Sequence, residues 1–217
     1  MKRREFTLTT ASAALAVFSH GPARAQDEPF KAGADYLVLQ KPVPVDAAPP
    51  QIEIIEFFSY GCSHCRDFEP MLEKWMKAAP KDVSARREHV SFQRNFEPLQ
   101  RIYYTLEIMG KVEQLHDKVY AAVQAERKRL DQPQVLFPWI AGQGADRAKF
   151  EEIYNSFGVA TRVRRATELQ NAYAVEGTPA MTTAGRYYTD GGMAKGFERM
   201  LAMTDMLIER ERKRMRG

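Results

Sequence analysis

Cysteine is scarce in this chain. Of 217 residues only two are cysteines, Cys62 and Cys65. So low a number excludes a fold held together by a disulfide framework. It also weighs against zinc, which takes four ligands, because beyond residues 1–25 only His64, His89 and His116 could complete a set. A c-type haem site needs histidine directly after the second cysteine, and Arg66 stands there. No apolar run approaches the roughly 20 residues of a membrane span. Excess charge is scarce too. The formal net charge is +4, and three of those charges come from residues 1–25, where Lys2, Arg3, Arg4 and Arg24 face only Glu5. The basic pI therefore carries no nucleic-acid signal.

Those first 25 residues read as an export signal. A basic start precedes a small, apolar stretch from Thr7 to Phe18, and Ala23-Arg24-Ala25 forms an A-x-A cleavage site, so the mature chain is expected to begin at Gln26. Arg3-Arg4-Glu5-Phe6 fits a twin-arginine signal and an ordinary Sec leader equally well. Residues 26–217 suit one domain, with room for an insertion. In an oxidising compartment, one close cysteine pair fits redox work better than scaffolding.

The pair sits in the most informative stretch of the chain. Ile52, Ile54, Ile55, Phe57 and Phe58 predict a buried strand. Gly61 permits a sharp turn. Phe68, Leu72, Trp75 and Met76 then recur at helical spacing. Cys62 is thereby placed at the mouth of a helix and Cys65 one turn inside. Unpaired N–H groups and the positive end of the helix dipole favour a thiolate at Cys62. His64 would add to that effect. Cys65 is expected to be shielded and to act as the resolving thiol. A depressed thiol pKa stabilises the reduced form, which makes the disulfide an oxidant.

Elsewhere the pattern is α/β with an interruption. Asp27 to Ala34 reads as a loose arm, Tyr36 to Leu39 as a first strand, and Val83 to Phe92 as another. From Pro98 to Tyr173 the apolar positions keep a helical period, which predicts an inserted helical subdomain. Ala180 to Ala184 and Arg186 to Thr189 predict a hairpin joined at Gly185, and Phe197 to Leu207 a last helix. Met200, Met203 and Met206 are expected in the core. The charged run from Glu209 to Gly217 is expected to be a solvated helix end. His89 is expected at the surface, and His116 at the surface or packed.

The segment Glu56-Phe57-Phe58-Ser59-Tyr60-Gly61-Cys62-Ser63-His64-Cys65, with Phe68-Glu69 and the later Gly177-Thr178-Pro179-Ala180, resembles the DsbA family of periplasmic thiol–disulfide oxidoreductases. The resemblance covers essentially the whole mature chain. It implies a thioredoxin fold with a helical insertion: residues 26–97 and 174–217 as the two parts of the thioredoxin-like domain, 98–173 as the insertion. It implies that Pro179 is a cis-proline facing the cysteine pair, with Ser63, Thr178 and Pro179 on the substrate side. Glu56 would be a buried acid serving Cys65, and Glu69 a partly exposed modulator. Reduced exported polypeptides are the implied substrates, and a DsbB-like, quinone-linked inner-membrane oxidase the implied partner. The protein would be a periplasmic monomer with no metal, nucleotide or flavin cofactor and no nucleic-acid partner. Ser63 and Thr178 replace the proline and valine of the best-known member. A disulfide isomerase or reductase, and a non-catalytic binding module with a structural disulfide, are the rival readings.

Overall fold

The computed structural model describes residues 29–93 and 96–217. The expected export signal lies outside the described residues. In chain order the elements are β1 (Leu37–Val38), β2 (Ile52–Phe58), α1 (Ser63–Ala78), β3 (Val83–His89), α2 (Glu97–Ile108) and α3 (Val112–Tyr120), which runs on into a π-helical turn (Ala121–Ala125). Then come α4 (Pro133–Gly142), α5 (Arg147–Tyr154), α6 (Phe157–Ala172), β4 (Ala180–Thr183), β5 (Tyr187–Asp190), α7 (Gly191–Ala194) and α8 (Phe197–Arg216). Among the described residues the sheet has five strands in the order β1-β5-β4-β2-β3, with β2 and β3 parallel and the other pairs antiparallel.

The continuous apolar run of β2 suits a strand covered on both faces, and all seven of its residues are buried. Its period of two sends alternate side chains to opposite sides. Ile52 and Ile54 pack with Phe68 and Leu72 of α1 and with Met200, Met203 and Leu207 of α8. Ile55 and Phe57 pack on the other side with Val43, Tyr173 and Val175. A third cluster fills the space among α2 to α6, and Phe58, Tyr60 and Cys65 belong to it. The end of β2 and the start of α1 are therefore held between sheet and helices.

Three expectations fail because groups that look solvated or loose in the sequence find partners on distant elements. His89 is fully buried, because the Tyr60 N–H donates to its Nε2 at 3.0 Å and its ring lies against Phe58. The C-terminal run is not simply solvated. Arg212 donates two hydrogen bonds to Asp82 (2.7 and 2.6 Å), while Glu211 is buried and accepts from Tyr187 Oη and Arg214. The described part of the N-terminal arm is tied down as well: Phe30 is buried beneath the guanidinium of Arg199. The small helix α7 escaped the sequence reading, because Gly191 and Gly192 carry no helical signal and Asp190 supplies its cap.

Gly185 joins β4 to β5 at φ +66°, and a Cβ there would meet the Val43 carbonyl oxygen at 2.1 Å. Gly110 has a similar φ, +64°, with open space around it. Gly110→Ala should cost about 1 kcal/mol, the conformational penalty alone, and Gly185→Ala distinctly more, as read by urea unfolding. Burial also depresses the pKa of His89 to about 3, against 6.5 for the free side chain. The unfolded chain therefore takes up a proton first, and the stability His89 contributes is present above pH 6.5 and lost as pH falls towards 3. Unfolding midpoints measured between pH 7.5 and 5 should fall more steeply for the native chain than for His89→Gln.

Candidate active site

Local chain geometry builds the nucleophile. The Cys62 N–H donates to the Ser59 carbonyl at 2.9 Å, closing a turn through Tyr60 and Gly61. Cys62 is then the N-cap of α1 with extended backbone, and its Sγ accepts the Cys65 N–H at 3.3 Å. A sulfur thus takes the place that serine or aspartate oxygen commonly fills at a helix start. Gly61 lets the loop pass close to Phe96: a Cβ there would lie 2.9 Å from the ring, which would have to shift.

Both cysteines are free thiols in this structure, Cys62 half-buried and Cys65 fully buried. The Cys62 pKa falls from 9.0 to about 6. Its hydrogen bond with the Cys65 side chain does most of this, against the opposing effect of burial. The Thr178 side chain, the Cys65 N–H and the charge of His64 help. Burial pushes the Cys65 thiol far up, followed by its bond with Cys62 and the charge of Glu56. One sulfur is prepared to be an anion and the other to keep its proton.

Across from the sulfur, the Thr178–Pro179 peptide bond is cis, and the Thr178 carbonyl lies 3.3 Å from Cys62 Sγ as acceptor for the thiol. His64, Gly177, Thr178, Pro179 and Phe197 line an open cavity of about 510 Å³ beside it. A second hollow of about 210 Å³, with Phe92 and Phe96 in its wall, reaches Cys62 from the other side. Ser63 does not join this cavity. It is the exposed first residue of α1, and the Cys62 sulfur fills the capping position before it.

Behind the cysteines lies a buried charged cluster. Period and register bring Glu56 of β2 level with Arg87 of β3, with Arg87 Nε 3.6 Å from Glu56 Oε2. Arg87 also pairs with Glu69 of α1. Glu69 Oε2 lies 3.3 Å from His116 Nε2, and His116 Nδ1 lies 2.9 Å from the Tyr60 hydroxyl. Glu69 is buried, contrary to the partly exposed position expected, because a guanidinium and an imidazole enclose it. Glu56 is buried as expected. Loss of hydration raises its pKa to about 8; Arg87 lowers it, and Glu69 and Cys62 add to the rise. Near neutral pH it is a protonated acid beside the buried thiol.

The structure thus brings Cys62, Cys65, His64, Thr178, Pro179 and Glu56 to one place and leaves Ser63 at its edge. Sequence reasoning missed Arg87, His89, His116 and Gln124. Only Arg87 had a usable signal: pairing β3 in parallel with β2 places a cation opposite Glu56. Among the described residues no group of three or more histidine, cysteine, aspartate or glutamate side chains is arranged to hold a metal.

Known proteins resemble this chain in sequence and in fold. The family model described as a DSBA-like thioredoxin domain matches residues 53–207. The thiol:disulfide interchange protein DsbA of Bordetella parapertussis is 39% identical, over 98% of this chain and 100% of that protein. The DsbA of Pseudomonas aeruginosa is 38% identical over 96% of this chain and 97% of its own length. The crystal structure of Pseudomonas aeruginosa DsbA superposes with a TM-score of 0.83, covering 87% of this chain and 97% of that one. With this thioredoxin-like fold and cysteine pair, the chain belongs to the DsbA family of thiol:disulfide oxidoreductases.

Proposed function

We propose that the protein is a dithiol oxidase of the periplasm that donates a Cys62–Cys65 disulfide to newly exported polypeptides. The observation that carries this reading is the opposed tuning of two sulfurs one helical turn apart. In the oxidised enzyme a substrate thiolate attacks Cys62 Sγ, the Cys62–Cys65 bond breaks, and a mixed disulfide forms. Cys65 leaves as a thiolate and takes a proton. Glu56, protonated near neutral pH, is the donor at hand. A second substrate thiolate then attacks the substrate sulfur, the substrate disulfide forms, and Cys62 departs as a thiolate. Its low pKa makes it a good leaving group. Two electrons remain on the enzyme dithiol. Reoxidation passes them to a DsbB-like membrane partner that uses quinone.

The open cavity beside His64, Thr178 and Pro179 suits an extended segment, held so that its thiolate meets the exposed side of Cys62. Export by the leader, action as a monomer, and the division into a thioredoxin-like domain (26–97 and 174–217) with a helical insertion (98–173) belong to the same reading. A disulfide isomerase is the alternative for this chemistry, and the depressed Cys62 pKa favours the oxidase.

Thiolate absorbance of the reduced protein should titrate near pH 6, and Cys62 should alkylate readily at pH 6 while Cys65 does not. Cys62→Ser should abolish oxidative refolding of a reduced, disulfide-dependent substrate. Retained activity in that variant would end the oxidase reading. Glu56→Gln keeps the shape and removes the titrating proton, so its stability should match the native chain's near pH 4.5 and exceed it near neutral pH. Because the folded pKa of Glu56 is raised, the native chain loses stability as pH climbs from 4.5 through 8, and the variant should not. Turnover should slow by about a hundredfold, the low end of the range for loss of a general acid. Unchanged turnover would remove Glu56 from the proton path.

A further inference from the structure

The turn that carries Cys62 is held from the far side by a residue with no assigned role. Gln124 projects from the π-helical turn Ala121–Ala125, where the bond from Glu126 N–H to the Ala121 carbonyl (2.9 Å) spans five residues. Such a turn inserts one residue into a helix and re-aims those that follow. Here it aims Gln124 at the active-site loop. Its Nε2 donates to the Tyr60 carbonyl at 2.8 Å and to the Cys62 carbonyl at 3.0 Å. Two carbonyl acceptors on one atom fix which end of the amide is nitrogen. Its Oε1 is buried and has no partner among the described residues, so this orientation is kept for its donors.

We propose that Gln124 is a positioning residue that clamps the loop across Gly61 and so holds the Cys62 sulfur over the first turn of α1. The two carbonyls it ties together flank Gly61, the one residue of the loop without a Cβ. Released, that glycine could reorient the Cys62 backbone and withdraw the sulfur from the Cys65 N–H. The clamp also acts electronically. The Cys62 carbonyl shares a peptide unit with the Ser63 N–H, the first of the unpaired donors of α1. A hydrogen bond on the carbonyl polarises that unit and strengthens the N–H as a donor. The same helical segment holds Tyr60 a second time, through His116. Loop geometry is therefore imposed by α3 and its π turn as well as by the strand that precedes it.

The inference rests on Cys62 being the nucleophilic thiolate, and the test separates the two claims. Gln124→Met keeps the bulk and removes both donors. Its Cys62 pKa, read by thiolate absorbance, should rise by about one unit, the size of one lost hydrogen bond to the loop. At pH 7 the equilibrium constant for oxidising glutathione should then fall about fivefold, equivalent to about 20 mV towards the reducing side. Val119→Ala is the control. Val119 is buried in α3 and its apolar side chain has no hydrogen bond to give the loop, so the variant should lower the melting temperature and leave both readouts unchanged. If Gln124→Met does not fold, Gln124→Glu replaces it, with a larger upward shift expected because a carboxylate also repels the thiolate. An unaltered pKa and equilibrium constant in the Gln124 variant would reduce Gln124 to a packing role and overturn the clamp. A native Cys62 that titrates near 9 would instead overturn the proposed function on which the clamp rests.

Discussion

A sulfur atom caps its own helix, and the rest of the site follows from that. Cys62 Sγ accepts the Cys65 N–H at 3.3 Å, at the end of α1 where backbone donors lack intrahelical partners. An anion there gains from those donors and from the helix dipole, while a thiol gains little. The contact therefore favours the reduced, ionised state over the disulfide, in which the same sulfur carries no charge. Stabilising the product of its own reduction is what makes such a pair an oxidant.

The fold protects that arrangement by making the two sulfurs unlike. Cys65, three residues on, points into the cluster formed with the helices α2 to α6, where burial keeps its proton in place. Cys62 stays open to a hollow shared with Thr178, Phe92 and Phe96. The acids behind them divide in the same way. Glu69 lies between Arg87 and His116, whereas Glu56 meets Arg87 only at 3.6 Å and has no hydrogen-bond partner among the described residues. A buried carboxyl so weakly satisfied holds its proton near neutral pH.

Much of this was legible in the chain, and what was not has a common cause. The run Ile52 to Phe58 reads as a buried strand, and the spacing of Phe68, Leu72 and Trp75 predicts a helix directly after the cysteines; both are present. The methionines at 200 and 203 are in the core at helical spacing. The misplaced residues were polar. His89 stands among charges in the sequence yet is buried, because β3 ends where the Tyr60 N–H needs an acceptor. Glu211 sits in a run of arginines yet is enclosed by Tyr187 and Arg214.

Local spacing in the chain specifies the reactive pair and its place at a helix start, because both depend on residues within one or two turns of each other. Tertiary structure alone decided which distant groups meet that pair. Arg87 reached Glu56 through strand register, His116 and Gln124 reached the loop through helix packing, and the Thr178 carbonyl came to face Cys62 Sγ. A buried polar group must find a partner, but nothing in its sequence neighbourhood says which one. That choice is made only when apolar surfaces far apart in the chain close on each other.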